Sequence, residues 1–177
     1  HEICAGLNRV YFHTFTCSPA EQGIPGQEYF AGTHVNPRVT WWSKSAPFID
    51  YMHRVQMLAQ EGTFVADVLY YYGDHVPNVY PFKHSDMPGV MFGFDYDVTD
   101  ENILMKLGVE DGDIVVPGGR RYKVLVLPDH RVLSLPVLKK LEMLVKEGAS
   151  VLGPKPQKAV SLSGGEKGGA EFKELAD

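Results

Sequence analysis

Apolar positions recur along the chain with two spacings, and these predict its helices and strands. Residues 47–61 are apolar at intervals of three and four, which predicts a helix that begins after Ser45 and ends at Gly62. The same spacing predicts a second helix between Ser134 and Gly148. Short runs rich in apolar, β-branched and aromatic residues predict strands, and the nearly continuous apolar run at 64–71 is typical of a strand that is buried on both faces. These runs are 10–16, 64–71, 113–116, 122–127 and 150–152.

The order of elements in the second half of the chain predicts one open sheet. The strand 122–127, the helix after it and the strand 150–152 form a βαβ unit, which places the two strands parallel to each other. Further helices are predicted after Thr99 and from Ala170, whereas 155–169 is rich in Lys, Gly and Ser and is predicted to be a loop. We therefore predict an α/β fold, with an open, mostly parallel sheet of Rossmann or flavodoxin type and flanking helices.

Residues 17–45 follow neither spacing, and a loop of this length in a compact protein is often functional. His13 lies on the predicted strand before it. A strand that ends in a long loop with Trp, His, Asn and Glu is typical of a sugar site at a barrel rim, because an indole covers the apolar face of a pyranose while polar groups bond its hydroxyls. Equally, these aromatic side chains fit a hydrophobic core in a region with few Leu or Ile residues. In an extended segment the adjacent indoles of Trp41 and Trp42 point to opposite faces, so at most one would face a sugar. The candidate ligands on the loop are Glu28, His34, Asn36, Arg38, Trp41 and Trp42.

Composition and charge exclude several classes of protein. The chain has 177 residues, of which 44% are hydrophobic, and 22 acidic against 17 basic side chains give a net charge of −5. This charge disfavours a nucleic-acid partner. No apolar run approaches the ~20 residues of a membrane span. Cys4 and Cys17 form no zinc-binding pattern and are predicted to be buried free thiols. The chain begins at His1 rather than Met, so we expect a piece of a longer protein.

Common nucleotide-binding and catalytic motifs are absent from the sequence. No G-x-G-x-x-G follows the strand 64–71, the glycine run 163–169 lacks the spacing of a phosphate-binding loop, and no G-x-S-x-G marks a nucleophile. An acidic cluster before the helix at Thr99 lacks the spacing and the glycine of an EF-hand, so we interpret it as turn and helix-capping chemistry. The cluster comprises Asp95, Asp97, Asp100 and Glu101.

Eight short segments, in their order and spacing, resemble the family 106 α-L-rhamnosidases, which are large bacterial glycoside hydrolases. The resemblance extends over almost the whole chain, and its specificity comes from the joint occurrence of the segments. They are Gly6–Thr14, Pro25–Tyr29, Asn36–Trp42, Tyr51–Arg54, Gln60–Gly62, Val65–Tyr71, Phe94–Asp97 and Tyr122–Pro128.

The resemblance implies a division of the chain. Residues 1–62 would be the last βα unit and rim loop of a (β/α)8 catalytic barrel, and 63–177 a flavodoxin-like α/β accessory domain that is incomplete at its C-terminus. His13 would lie on the eighth barrel strand. The implied substrate-binding residues are His13, Glu28, Asn36 and Trp41.

The resemblance also implies an activity for the parent protein, which would hydrolyse terminal rhamnosides of plant or microbial glycans by an inverting mechanism. Inversion requires two carboxyl groups roughly 6.5–9.5 Å apart. We expect both upstream of His1, so no catalytic residue is assigned here and the isolated segment is expected to be inactive. The implied cofactor is calcium, with no ligand assignable in this segment. The implied partners are the carbohydrate substrate and the remainder of the barrel, and the implied location is periplasmic or secreted.

The alternative is a stand-alone flavodoxin-like or glutamine-amidotransferase-like binding module without catalytic activity. The missing phosphate loop, the missing nucleophile and the missing N-terminal Met all weigh against it. The reading frame upstream of His1 distinguishes the two hypotheses, because only the first requires a barrel to be encoded there.

Overall fold

The computed structural model describes residues 1–4, 6–13, 15–30, 35–78, 93–160 and 165–176. The chain divides into two compact units, His1–Thr63 and Phe64–Asp177. No helix within the described ranges is long and apolar enough to cross a membrane. His34, a candidate ligand from the sequence, lies outside the described residues.

The first unit contains the helix α1 (Ala46–Glu61), which confirms the helix predicted from the apolar spacing. The predicted strand 10–16 is wrong, because no strand forms in its described residues. A strand needs a neighbour to bond its backbone groups, and here side chains of α1 fill that role. The Val10 backbone N donates to Gln56 Oε1 at 2.6 Å, and Gln60 Nε2 donates to the Asn8 carbonyl at 2.9 Å.

The apolar positions of α1 are not buried. Phe48 is 50% exposed and Leu58 is 68% exposed, although the pattern predicted a buried face. The described part of this unit contains no sheet against which the helix could pack. Cys4 and Cys17 are free thiols, as predicted, but both are exposed rather than buried.

The second unit holds the sheets. Its strands in chain order are β1 (Val68–Tyr71), β2 (Tyr96–Thr99), β3 (Gly108–Glu110), β4 (Asp113–Val115), β5 (Arg121–Tyr122), β6 (Val124–Val126), β7 (Val132–Leu133), β8 (Val151–Leu152) and β9 (Lys158–Ala159). Its helices are α2 (Glu101–Leu104), α3 (Leu135–Lys146) and α4 (Gly165–Ala176). The main sheet is parallel throughout and has the order β2-β1-β6-β8. This confirms a mixed α/β fold with a parallel sheet and flanking helices.

The βαβ unit predicted from the sequence is present as β6, α3 and β8. Ser134 caps α3, since its side chain accepts a hydrogen bond from the Val137 backbone N at 3.3 Å. The apolar stripe of α3 then packs on one face of the sheet, together with Leu69, Tyr71 and Leu125. The stripe consists of Val137, Leu138, Leu141 and Leu144, whereas Val145, which the pattern also predicted to be buried, is 53% exposed.

The apolar run 122–127, predicted as one strand, is divided between two sheets. Tyr122 ends β5, which pairs antiparallel with β4 in a small three-stranded sheet that also contains β3. Lys123 marks the break, because its backbone N donates to the Asp67 carbonyl at 2.7 Å. From Val124 the chain pairs parallel with β1. Pro117–Gly119 lie in the hairpin that joins the antiparallel strands β4 and β5.

The loop predicted for 155–169 is wrong in two places. Lys158–Ala159 forms β9, which pairs parallel with β7, and α4 already begins at Gly165. Phe172, on the next turns of α4, is 2% exposed and lies in the main core. Burial of this ring fixes the helix to the core despite the low helix propensity of its glycines.

Candidate functional site

The candidate sugar site lies on an aromatic segment of the first unit, residues 11–42. His13 stacks on Tyr29, with ring centroids 5.8 Å apart and an interplanar angle of 30°. The ring of Tyr29 in turn lies beside that of Phe30, with ring centroids 4.8 Å apart. Glu28, which precedes Tyr29, is exposed, as is His13. The structure therefore brings the His13 ring against the residue next to Glu28, and both predicted ligands remain accessible.

A second aromatic group surrounds Trp41. Its ring centroid lies 6.4 Å from that of Trp42 at 53°, and Phe15 meets Trp42 edge-on at 6.5 Å. The expectation of an extended segment at this point is wrong, because a 3₁₀ turn runs from Trp42 to Lys44. The indoles therefore contact each other instead of pointing to opposite faces. Trp41 is 40% exposed, so part of its surface is available to a ligand.

Local contacts between Ser18 and the residues before Glu28 order this described part of the aromatic segment. Ser18 Oγ accepts a hydrogen bond from the Gln27 backbone N at 2.6 Å. Gly26 adopts a φ of +87°, and a Cβ there would run into the Ser18 side chain. Only glycine satisfies both requirements without strain. Ser18 and Gly26 thus fix the loop immediately before Glu28.

Asn36 occupies a turn rather than an open position. It is 6% exposed, and its Oδ1 accepts a hydrogen bond from the Arg38 backbone N at 2.8 Å. Arg38 Nη1 donates to the Gly23 carbonyl at 2.7 Å, which ties the turn to the earlier part of the loop. The side-chain oxygen of Asn36 is therefore already engaged, and the guanidinium of Arg38 has a structural contact.

No group of three or more His, Cys, Asp or Glu side chains in the described residues is arranged to hold a metal ion. The calcium implied by the resemblance is therefore assigned no ligand among these residues.

The second unit contains a cleft that the sequence did not indicate. Its volume is about 520 Å³, and it lies where β1 and β2 end and the β4–β5 hairpin approaches them. Asp100, one of the acidic cluster, caps α2 through a 3.0 Å hydrogen bond from the Ile103 backbone N, which lowers the pKa of its carboxyl. Thr99, after which the sequence predicted this helix, is the last residue of β2. Asp97 has a different role and lines the cleft.

Asp97 joins two side chains of the hairpin. Its Oδ2 accepts a hydrogen bond from the Tyr122 hydroxyl at 2.6 Å and lies 3.4 Å from Arg120 Nη1. Burial, together with the adjacent carboxylate, raises the pKa of Tyr122 well above its ordinary value. Tyr122 therefore stays a neutral hydrogen-bond donor. The capping interpretation of the acidic cluster holds for Asp100 but misses this contact, which depends on strand pairing far along the chain.

A cluster of polar side chains lies after the strands β1 and β6 and consists of Asp74, His75 and His130. The imidazoles of His75 and His130 contact each other with centroids 3.8 Å apart. His75 Nδ1 and both ring nitrogens of His130 are buried without a partner in the described residues. Burial, and then the neighbouring His75, lower the pKa of His130. Asp74 lies beside them and accepts hydrogen bonds from the Tyr71 hydroxyl and, at 2.7 Å, from the Ser134 backbone N.

The family is settled by comparison with known proteins. A family model described as alpha-L-rhamnosidase, glycoside hydrolase family 106, matches residues 1–177. The chain belongs to the family 106 α-L-rhamnosidases. The resemblance seen in the sequence is thereby confirmed over the whole chain.

Two proteins similar to this rhamnosidase-family chain are much longer than the chain itself. It is 38% identical over 172 residues to a protein of Formosa agariphila named "Putative beta-glucuronidase", and the match covers 97% of this chain and 14% of that protein. It is similar to the solved structure of a rhamnosidase from Novosphingobium sp. PP1Y, with 31% identity and a TM-score of 0.79 over 99% of this chain and 17% of that one. The rhamnosidase-family chain thus spans about one sixth or less of the length of either relative.

Proposed function

We propose that this chain is a segment of a glycoside hydrolase that removes terminal α-L-rhamnosyl groups from glycans. The observation that carries the proposal is the match of the α-L-rhamnosidase family model to all 177 residues. The similarity to a solved rhamnosidase supports it. The parent enzyme is proposed to act on external plant or microbial polysaccharide in the periplasm or outside the cell.

The two units fit different parts of such an enzyme. Residues 1–62 are proposed to be the last βα unit of a (β/α)8 barrel, since a long aromatic loop leads directly into α1. The segment 10–16 pairs with no strand in the described residues, and a neighbouring strand of the parent barrel would supply that pairing. A barrel core would cover the apolar positions of α1, such as Phe48, that are exposed here. Residues 63–177 are proposed to be a flavodoxin-like accessory domain. The strand order β2-β1-β6-β8 supports this, because it matches the start of the 2-1-3-4-5 order of that fold.

The aromatic segment is proposed to line the sugar pocket. Trp41 offers a partly exposed indole face to a pyranose ring, and His13 and Glu28 offer exposed polar groups for its hydroxyls. Asn36 is a weaker candidate for direct contact, because its Oδ1 already accepts from the Arg38 backbone N. Its contribution would be to shape the loop that presents Trp41.

The general acid and base are proposed to lie in the parent polypeptide outside these residues. Inversion needs two carboxyl groups about 6.5–9.5 Å apart with room for a water. Glu28 is the exposed acidic side chain beside the His13–Tyr29 stack, and we give it a binding role rather than a catalytic one. The isolated chain is therefore expected not to hydrolyse rhamnosides.

A second candidate is the glucuronidase activity named for the Formosa relative. A glucuronide carries a carboxylate, which is bound best by a free guanidinium. Arg9 uses both terminal nitrogens, on the Tyr11 hydroxyl and on Gln60, whereas Arg38 uses Nη1 on the Gly23 carbonyl and keeps its other donors, so Arg38 is the candidate partner for such a carboxylate. Rhamnose has a methyl group in place of that carboxylate, which suits the aromatic surroundings better.

The test compares two substrates with the full-length parent enzyme, using 4-nitrophenyl α-L-rhamnopyranoside and 4-nitrophenyl β-D-glucuronide. The proposal predicts a kcat/KM for the rhamnoside at least about 100-fold higher, as expected when a site built for one sugar leaves polar groups unpaired with the other. Preference for the glucuronide would favour the second candidate. Turnover of neither would support a binding module. Turnover by residues 1–177 alone would contradict the placement of the acid and base elsewhere.

A further inference from the structure

The cleft of the second unit has the properties of a small-molecule site. It extends from Leu69 and Asp97, the paired second residues of β1 and β2, to Tyr72 and Asp100, which follow these strands at their carboxyl ends. In open parallel sheets, ligands bind outside the carboxyl ends of the strands. The cleft volume of about 520 Å³ falls within the range of small-molecule sites. Val116 and Pro117 of the hairpin form its opposite wall.

Most polar groups of the cleft are already engaged within the chain. The carboxylate of Asp100 accepts from the Ile103 backbone N and from Asn102 Nδ2 at 3.2 Å. The Tyr72 hydroxyl donates to the Asn78 carbonyl. These groups are therefore not the ones that select a ligand.

Asp97 and Arg120 retain free hydrogen-bonding capacity. Asp97 Oδ2 has two partners, Tyr122 and Arg120, whereas nothing in the described residues donates to Oδ1. Arg120 uses one terminal nitrogen on Asp97, which leaves its Nε and Nη2 without an acceptor in the same part of the chain. An acceptor and a donor thus lie side by side, held in place by the Tyr122 hydroxyl.

The charge of the cleft selects against anions. It contains the carboxylates of Asp97 and Asp100 and the single guanidinium of Arg120, so its net charge is negative. A phosphate or carboxylate ligand would be repelled, whereas a vicinal diol donates one hydroxyl to Asp97 and accepts at the other from Arg120. Val98 and Ile103, which are 40% and 37% exposed, and Pro117 provide apolar surface for the carbon face of such a ligand.

We propose that this cleft binds a neutral polyhydroxylated ligand of monosaccharide size, held by hydrogen bonds to Asp97 and Arg120. The inference rests on the cleft alone and does not depend on the hydrolase function proposed above. It assigns the second unit a carbohydrate-binding role separate from the aromatic segment. Because both polar side chains are partly exposed, with 28% of the Asp97 and 46% of the Arg120 side chain accessible, binding is weak.

The experiment titrates ¹⁵N-labelled chain with L-rhamnose while backbone amide shifts are recorded. We expect shifts at residues 97–100 and 117–120, with a Kd of a few millimolar, on the basis of about 11 non-hydrogen atoms at the efficiency of ordinary ligands. Arg120→Met and Asp97→Asn should each raise the Kd about 5- to 10-fold, which corresponds to the loss of one partly exposed hydrogen bond of about 1–1.4 kcal/mol. Arg121→Met is the matched control, since Arg121 contacts Glu110 and Asp113 instead of the cleft, and it should leave the Kd unchanged.

Two anionic probes test the charge argument. D-glucuronate and inorganic phosphate should bind at least 5-fold more weakly than L-rhamnose. Equal or tighter binding of either anion would overturn the neutral-ligand assignment. Absence of shifts around the cleft at 50 mM sugar, or shifts that persist in both cleft variants, would overturn the site itself. Shifts confined to the aromatic segment would support the proposed function and contradict this inference, so the two fail separately.

Discussion

The carboxylate of Asp74 links two distant parts of the second unit, and its removal gives a sharp test of the structure. The side chain accepts from the Tyr71 hydroxyl at the end of β1 and, at 2.7 Å, from the backbone N of Ser134, the cap of α3. Tyr71 is 1% exposed, so its hydroxyl has no access to bulk water. Burial and the bond to Asp74 also raise the pKa of Tyr71 far above its ordinary value. Asp74→Ala therefore leaves two donors without an acceptor.

The size of the effect follows from these two bonds. Leaving a buried donor unsatisfied costs about 1–3 kcal/mol, so the loss of both bonds in Asp74→Ala should destabilise the unit by about 2–6 kcal/mol. At about 4 °C per kcal/mol for a unit of this size, the Tm should fall by roughly 8–24 °C. Asp74→Asn keeps the shape, and its amide can accept from Ser134 and donate to the Tyr71 oxygen, so it should cost less than about 1.5 kcal/mol.

Differential scanning calorimetry of the two variants measures this difference. The matched control is Asp129→Ala, which removes an exposed carboxylate near the same sheet edge and should shift the Tm by less than about 2 °C. If Asp74→Ala shifts the Tm no more than Asp129→Ala does, the two hydrogen bonds do not hold the edge together, and the reasoning is refuted.

Three further predictions concern the same unit. Leu125→Ala should lower the free energy of unfolding, measured with urea, by about 2–5 kcal/mol because Leu125 is fully buried. Leu152→Ala, at a residue that is 51% exposed, should lower it by under about 1 kcal/mol. Equal losses in the two variants would contradict the core assignment. Gly153→Ala should destabilise the second unit by more than about 1 kcal/mol, because a Cβ would lie 2.6 Å from the Leu127 Cβ. A Cβ at Gly108 meets no atom within 4 Å, so Gly108→Ala should be tolerated better. The reverse order of stabilities would contradict this packing. Burial lowers the pKa of His130, so the unfolded state binds more protons than the folded state. The free energy of unfolding should therefore fall as the pH drops below about 6.5, and His130→Gln should reduce that fall. An unchanged dependence of stability on pH in the variant would exclude His130 as its source.

Sequence patterns predicted those elements whose cause is local. Ser134 before the first turn and an apolar stripe along the sequence predicted the helix α3, and the structure contains both the cap and the buried stripe. The buried run at 64–71 contains β1, although the paired part is only Val68–Tyr71, because pairing depends on the length of β2 and β6 beside it. The strand β2 itself was missed, since its polar residues read as turn and cap chemistry.

The errors share a physical origin in contacts that are distant along the chain. The run 122–127 looks uniform in sequence, but Tyr122 and Val124 pair with different strands in different sheets. The glycines at the start of α4 favour a loop by propensity, and burial of Phe172 overrides them. The segment 10–16 has the composition of a strand but no strand beside it in the described residues, so its composition alone does not determine its structure.

In the candidate sites, too, sequence patterns indicated the features with a local cause and missed those that depend on distant contacts. Trp41 and His13 stood out because aromatic and polar side chains on a long loop are typical of a sugar site, and the structure places both where they are accessible. The turn role of Asn36 required knowledge that its Oδ1 meets the Arg38 backbone N. The contact of Asp97 with Arg120 joins residues 23 positions apart, and nothing in either local sequence indicates it.

His13 and Trp41 are proposed to line the sugar pocket of an α-L-rhamnosidase. The kinetic test measures kcat and KM for 4-nitrophenyl α-L-rhamnopyranoside in the full-length enzyme carrying His13→Ala or Trp41→Ala, with Ile24→Ala, 80% exposed in the same loop, as the control. Each pocket variant should reduce kcat/KM about 5- to 10-fold, as expected for loss of one stacking or hydrogen-bonding contact of about 1–1.4 kcal/mol, and the control should leave it unchanged. Unchanged kinetics in both pocket variants would contradict the proposal.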